Sequence, residues 1–135
     1  MDTQQITPEG FVPHDRKSPM TDPWEPLWVR KRDDCVQLGV RIATAHCNGR
    51  GFLHGGLIAT LADNAMGLSL GHVTGTGGVT VNLNVDYLRI GAPGQWLQIE
   101  PRVIRAGSKL GVVDALITAD GKTIARANAT FHLIS

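Results

Sequence analysis

The sequence predicts an α+β domain in which one long helix is buried against an antiparallel sheet. Three observations predict it. Residues 54–72, HGGLIATLADNAMGLSLGH, carry apolar side chains over most of a helical wheel, and a helix apolar nearly all round belongs inside something. The flanking segments alternate apolar and polar residues with a period of two, as half-buried strands do. Turn signals (GAPG at 91–94, AGSKLG at 106–111 and Asp120-Gly121) divide everything after residue 78 into neighbouring antiparallel strands. A single helix covering one face of such a sheet is an α+β arrangement.

Taken in order, residues 1–23 are rich in Pro, Thr and charge and show no sustained period. They read as an arm, ordered only where it docks, with room for a short helix. The compact domain runs from 24 to 135. Leu27 to Lys31 is a short strand, Asp33-Asp34 turns the chain, and Val36, Leu38, Val40 and Ile42 mark the buried face of the next strand. The polar loop HCNGRGF then leads into the helix, in which Leu57, Ile58, Leu61, Ala62, Ala65, Met66, Leu68 and Leu70 are apolar. Glycines 75, 77 and 78 end it. Val79, Val81, Leu83, Val85 and Tyr87 alternate with Thr80, Asn82, Asn84 and Asp86 in the strand that follows. Three more strands are expected, in QWLQIEPRVIRA, LGVVDALITA and KTIARANATFHLI, for a sheet of about five to six in all. Ala125, Ala127 and Ala129 share one face of the last, which lets a helix approach the sheet closely. The other sheet face and the strand edges still need cover, and this favours oligomerisation.

Composition narrows the partners. Hydrophobic residues make up 42% and charged residues 19% of the 135, enough for a real core. A formal net charge of +1 does not advertise nucleic acid or an anionic membrane. No apolar run approaches the roughly 20 residues that cross a bilayer, and the N-terminus lacks the apolar region of a secretory signal. Two cysteines, Cys35 and Cys47, make no disulfide framework, so a cytoplasmic location is expected. With no CxxC and no histidines at ligand spacing, no metal is expected.

Three features carry candidate chemistry: Asn48, the trio His54-Gly55-Gly56, and Asp63. Asp63 is the only carboxylate between Asp34 and Asp86, on a helix of otherwise small or apolar residues. Such a group is either catalytic or a helix-interior Asp that bonds a nearby strand. A helix starting near Gly55 directs unpaired N–H groups and a positive dipole end outward, and these can polarise a carbonyl and hold an oxyanion. A plain loop-to-helix junction would use glycine as well. Gly55 and Asp63 are eight residues apart, or about 12 Å along one helix, too far for both to act on one carbon. Joint action therefore requires Asp63 from a second subunit, in a two-fold dimer with two equivalent sites.

The segment NGRGFLHGGLIATLADNAMG resembles the signature of the hotdog-fold thioesterase superfamily, in its phenylacetate-pathway-like acyl-CoA thioesterase branch. The resemblance extends over roughly residues 24–134, through TVNLNVDYLR and GSKLGVVDALI. It implies a helix wrapped by an antiparallel sheet, dimers that usually pair into tetramers, and hydrolysis of acyl-CoA thioesters. By position, Asp63 matches the catalytic carboxylate, acting as general base or nucleophile, and Gly55 the residue whose N–H holds the thioester oxygen. His54 and Asn48 match residues that orient the site, with Gly56 beside them at the substrate. Thr80 matches a Ser/Thr position that binds the attacking water or the carboxylate. Asn48 could equally shape its own loop, and alternation alone makes Thr80 an outward strand residue. Arg89, Arg105 and Lys109 lie where the family's ligand-binding edge falls and are candidates for the coenzyme A phosphates. Trp24, Trp28 and Trp96 are candidates either for an acyl pocket or for packing. No cofactor is implied beyond the coenzyme A of the substrate. Two rivals remain: a non-catalytic acyl-CoA-sensing module, and a hydratase or dehydratase of the same fold. Neither an HFPG-like nor a D-x-N-x-x-H-like motif is present, and the N-terminal residues are too few for a helix-turn-helix domain.

Overall fold

Seven strands form one antiparallel sheet carrying a single α-helix in the computed structural model, which describes residues 6–134. In chain order these are β1 (Val12–Pro13), β2 (Trp28–Lys31), β3 (Val36–Arg41), α1 (Gly55–Thr74), β4 (Gly78–Tyr87), β5 (Trp96–Ala106), β6 (Leu110–Ala119) and β7 (Lys122–Leu133). The sheet order is β1-β2-β3-β5-β6-β7-β4, so α1 carries the chain from β3 to β4 at the far edge. The strand beyond the expected five to six is β1, a two-residue pairing of the arm with β2, too short to leave any period in the sequence.

Helix α1 ends where Gly75 adopts φ 78°, a left-handed turn that costs glycine nothing. Its buried residues (Leu57, Ile58, Leu61, Ala62, Ala65, Met66, Ser69 and Leu70) form one broad face against the sheet. Opposite them lie Leu38, Val40, Leu97, Ile99, Val113 and Ile117, all buried. Each such aliphatic side chain contributes about 1.5–3 kcal/mol on leaving water, which makes α1 a fixed platform. The approach is close. Ala125, Ala127 and Ala129 are buried beneath the helix, and a Cβ on Gly111 would lie 2.5 Å from Leu70. The one buried polar residue of the helix, Ser69, is satisfied: its hydroxyl accepts from Val36 N–H at 2.9 Å and can donate to the Ala65 carbonyl at 2.8 Å. The expectation of a helix buried all round holds for this face alone. Gly55, Ala59, Asp63, Asn64 and Gly67 stay half-exposed.

On the other side of the sheet the arm covers β2 and β3. Phe11 is buried edge-on against Trp96, with ring centroids 5.2 Å apart. Trp96 lies across Gly39, where an added Cβ would be 2.2 Å from the indole. The Arg41 guanidinium sits 5.3 Å from the Trp96 ring, and that of Arg30 sits 4.5 Å from Phe11. Trp96 is therefore a packing residue.

The opposite edge is bare. Strand β4 pairs only with β7, and Val79, Val81 and Tyr87 are more than half exposed. Its register shifts between Thr80 and Asn82. The bulge puts Thr80 opposite the buried Phe131 and Leu83 opposite the buried Ala129, so both face the helix. Simple alternation would have sent them to opposite faces.

Candidate active site

The first turn of a helix has four N–H groups without intrahelical acceptors, and here each can be traced. His54 is the N-cap: its backbone is extended (φ −72°, ψ 131°), and its Nδ1 accepts from Gly56 N–H at 2.8 Å. That bond leaves the ring proton on Nε2. His54 N–H donates to the His46 carbonyl at 3.0 Å and Leu57 N–H to the His54 carbonyl at 3.1 Å. Gly55 N–H has no acceptor among the described residues, and it points from the positive end of a 20-residue helix. One uncommitted donor remains, at the residue the sequence singles out.

Tyr87 fixes that donor. Its hydroxyl donates to the Gly55 carbonyl at 2.7 Å, and its ring lies 3.2 Å from where a Gly55 Cβ would be. Gly55 thus has its carbonyl occupied and its N–H free. The preceding loop is held by Asn48, whose Oδ1 accepts from Arg50 N–H at 2.9 Å and Phe52 N–H at 3.2 Å. In this structure the Asn48 oxygen shapes the loop, as its alternative reading had it, and through the loop it sets the helix start.

Asp63 lies two turns further along α1, half-buried. The Thr80 hydroxyl donates to Asp63 Oδ1 at 2.7 Å, leaving Oδ2 without a hydrogen bond among the described residues. This contact exists because the bulge turns Thr80 inward, correcting the outward placement that alternation alone predicts. The carboxylate opens into a cleft of about 690 Å³, also lined by Asp15, Arg16, Lys31, Asn64 and His72. A separate cleft of about 360 Å³ borders the helix start and is lined by Met20, Trp24, Cys47, His54, Gly56 and Leu57, among others. Within one chain, then, the residues flanking the N–H donor, His54 and Gly56, and the carboxylate line different clefts.

The remaining candidates are dispersed. Arg89 is exposed just past the Tyr87 end of β4. Arg105 and Lys109 are exposed at the β5–β6 turn by the other end, where the Lys109 carbonyl accepts from Leu133 N–H and Leu133 pairs with Gly78. The structure therefore joins Asp63 to Thr80 and gathers His54, Gly55 and Gly56, but it does not bring the three basic residues together in one chain. Sequence reasoning missed Tyr87, taking it as part of the strand's apolar face. Its signal was being the only tyrosine of the chain. His46 was missed too. It is buried, with Nδ1 accepting from Ala43 N–H at 2.8 Å and Nε2 donating to the Trp24 carbonyl at 3.0 Å.

The chain is similar to several known proteins. Residues 50–125 match the family model described as the thioesterase superfamily. A Pseudomonas aeruginosa protein named for an esterase activity is 36% identical over 130 residues, 93% of this chain and 96% of its own length. Human acyl-coenzyme A thioesterase 13 is 36% identical over 97 residues, 70% of this chain and 69% of that protein. A hypothetical thioesterase of Streptococcus pneumoniae, solved with coenzyme A, superposes with a TM-score of 0.78 at 28% identity, covering 83% of this chain and 91% of that one.

Proposed function

This chain belongs to the thioesterase superfamily and is a thioester hydrolase, and from that premise we propose that it cleaves acyl-coenzyme A at sites shared between two subunits. One observation carries the proposal: a free N–H at Gly55 and a carboxylate at Asp63, about 12 Å apart along one helix, each tied to the same edge strand. Gly55 is tied through Tyr87 and Asp63 through Thr80. Pairing β4 antiparallel with its own copy, about a two-fold axis near Leu83 and Asn84, lays each Thr80 alongside the partner's Tyr87. Asp63 then faces the partner's Gly55. The ten-residue edge, with Val79 56% and Val81 63% exposed, supports this pairing, because a bare apolar edge strand seeks another strand. The same axis carries the partner's Arg89 to the end of β4 that holds Arg105 and Lys109, which gives the coenzyme A phosphates a basic rim. Association of two such dimers into a tetramer, and a cytoplasmic location, belong to the same proposal.

In this site the Gly55 N–H polarises the thioester carbonyl, while His54 fixes the direction of that turn by holding Gly56 N–H. Asp63 Oδ2 removes a proton from water as the water oxygen bonds to the carbonyl carbon. Thr80 meanwhile holds Oδ1. The carbonyl electron pair moves onto oxygen and is held by the N–H. When it returns, the C–S bond breaks and the thiolate leaves as coenzyme A, taking the proton from Asp63. If Asp63 attacks directly, an acyl-carboxylate anhydride forms first and water opens it. Thiol release from phenylacetyl-, benzoyl-, hexanoyl- and palmitoyl-CoA, with Asp63→Asn beside the wild type, tests the reaction. Hydrolysis lost in the folded variant supports it. Tight binding of acyl-CoA without release from any of the four would favour a sensing module instead.

A further inference from the structure

The smaller cleft has no role in the steps above, yet it borders the helix start that would hold the carbonyl. We infer, granting the hydrolase site just described, that the acyl group lodges in this cleft and that Met20, of the N-terminal arm, and Trp24, where the arm joins the domain, set its length limit.

The two substituents of the thioester carbonyl must leave in different directions, and the two clefts differ in chemistry. The larger is lined by Asp15, Arg16 and Lys31, besides Asp63. No Asp, Glu, Lys or Arg lines the smaller one: Met20, Trp24, Ala45, Cys47 and Leu57 line it together with Gly56, His46, His54 and Thr60. An apolar acyl group gains by leaving water against those walls.

The size of the cleft limits the length. An apolar cavity of about 150 Å³ takes a benzene ring. By that scale about 360 Å³ takes a single ring with its linking carbons, or a chain of about six to ten carbons, and a chain of about sixteen overruns it. The boundary lies in the arm. Met20 is 60% exposed at the rim, and Trp24 is packed partly against the core. The arm cannot drift freely from the helix start, because His46 links them. Its Nε2 donates to the Trp24 carbonyl at 3.0 Å, and its own carbonyl accepts from His54 N–H at 3.0 Å.

Two measurements test this on the intact protein. In the first, kcat/KM is measured along a saturated acyl-CoA series from butanoyl to palmitoyl. The wild type is expected to fall at least tenfold between octanoyl and palmitoyl, and Trp24→Ala and Met20→Ala to move that fall to longer chains by about two to four carbons. An unchanged length profile in folded variants would overturn the inference. The second uses Cys47, which lines the cleft, while the other cysteine, Cys35, is buried elsewhere. A non-hydrolysable thioether analogue of hexanoyl-CoA is expected to slow Cys47 alkylation at least fivefold, while coenzyme A alone leaves it unchanged. Equal rates with both would refute the placement even if Trp24→Ala failed to fold. Absence of hydrolysis from every acyl-CoA would instead count against the hydrolase. Hydrolysis with no protection and no shift in profile counts against this inference alone.

Discussion

The shared site makes a quantitative prediction that a site within one chain cannot make. Two variants are required, each defective in one half. Asp63→Asn keeps an oxygen for the Thr80 hydroxyl, 2.7 Å away, but removes the base, and should lower kcat by about 10²–10⁴. Gly55→Pro removes the free N–H. The helix tolerates it, because position 55 opens α1 and His54 already has the extended backbone required before proline. Its Cβ meets the Tyr87 ring at 3.2 Å, a contact that a small ring shift relieves. Losing an oxyanion donor should lower kcat by about 10²–10³, or about 3–4 kcal/mol in the barrier. Produced together in equal amounts and assorted at random, half of the dimers are hybrids. In each hybrid one site holds both defects and the other holds neither, so the mixture should recover about a quarter of wild-type kcat. Thiol release from a common acyl-CoA would be measured on the co-produced mixture and on the separately purified variants. A mixture no more active than its parents, with hybrids demonstrated by differential tags, would refute the two-subunit site.

Other expectations follow from the same contacts. Thr80→Val deletes the hydroxyl that holds Asp63 and should reduce kcat about tenfold or more, as a hydrogen bond to a charged group is worth about 1.5–3 kcal/mol, whereas Thr80→Ser should remain within about threefold. Steady-state kinetics at saturating substrate separates the two. Gly39→Ala places a Cβ 2.2 Å from the Trp96 indole and should destabilise the fold by about 1–3 kcal/mol, read by urea denaturation, with little change in KM. The Cys35 thiol is pushed up from its ordinary value, first by burial and then by the neighbouring Asp34 carboxylate. The folded chain therefore holds that proton more tightly than the unfolded chain, and this contribution to stability, complete at neutral pH, is lost as pH rises through the raised value. Alkylation followed by peptide mass spectrometry should show Cys47 labelled at near-neutral pH and Cys35 only at more alkaline pH.

Periodicity determined a good deal of this molecule. The apolar wheel of 54–72 and the apolar–polar runs before and after it fix the helix and six of the seven strands, because burying one face of each element demands such patterns. His54, Gly55 and Asp63 were legible for a related reason: glycines at a helix start and a lone carboxylate among small residues each break the pattern around them. What the sequence left open, contacts between distant elements decided. Thr80 reads as outward until the bulge at Thr80–Asn82 inverts the face it shares with Asp63, and no local preference marks a one-residue insertion in a pairing. Tyr87 looks like an apolar strand residue until its hydroxyl meets a carbonyl 32 positions earlier in the chain. The arm has too few paired residues to show a period. Phe11, Trp24 and His46 fix its course by fitting surfaces that other elements create, and such fit is a property of the assembled fold alone.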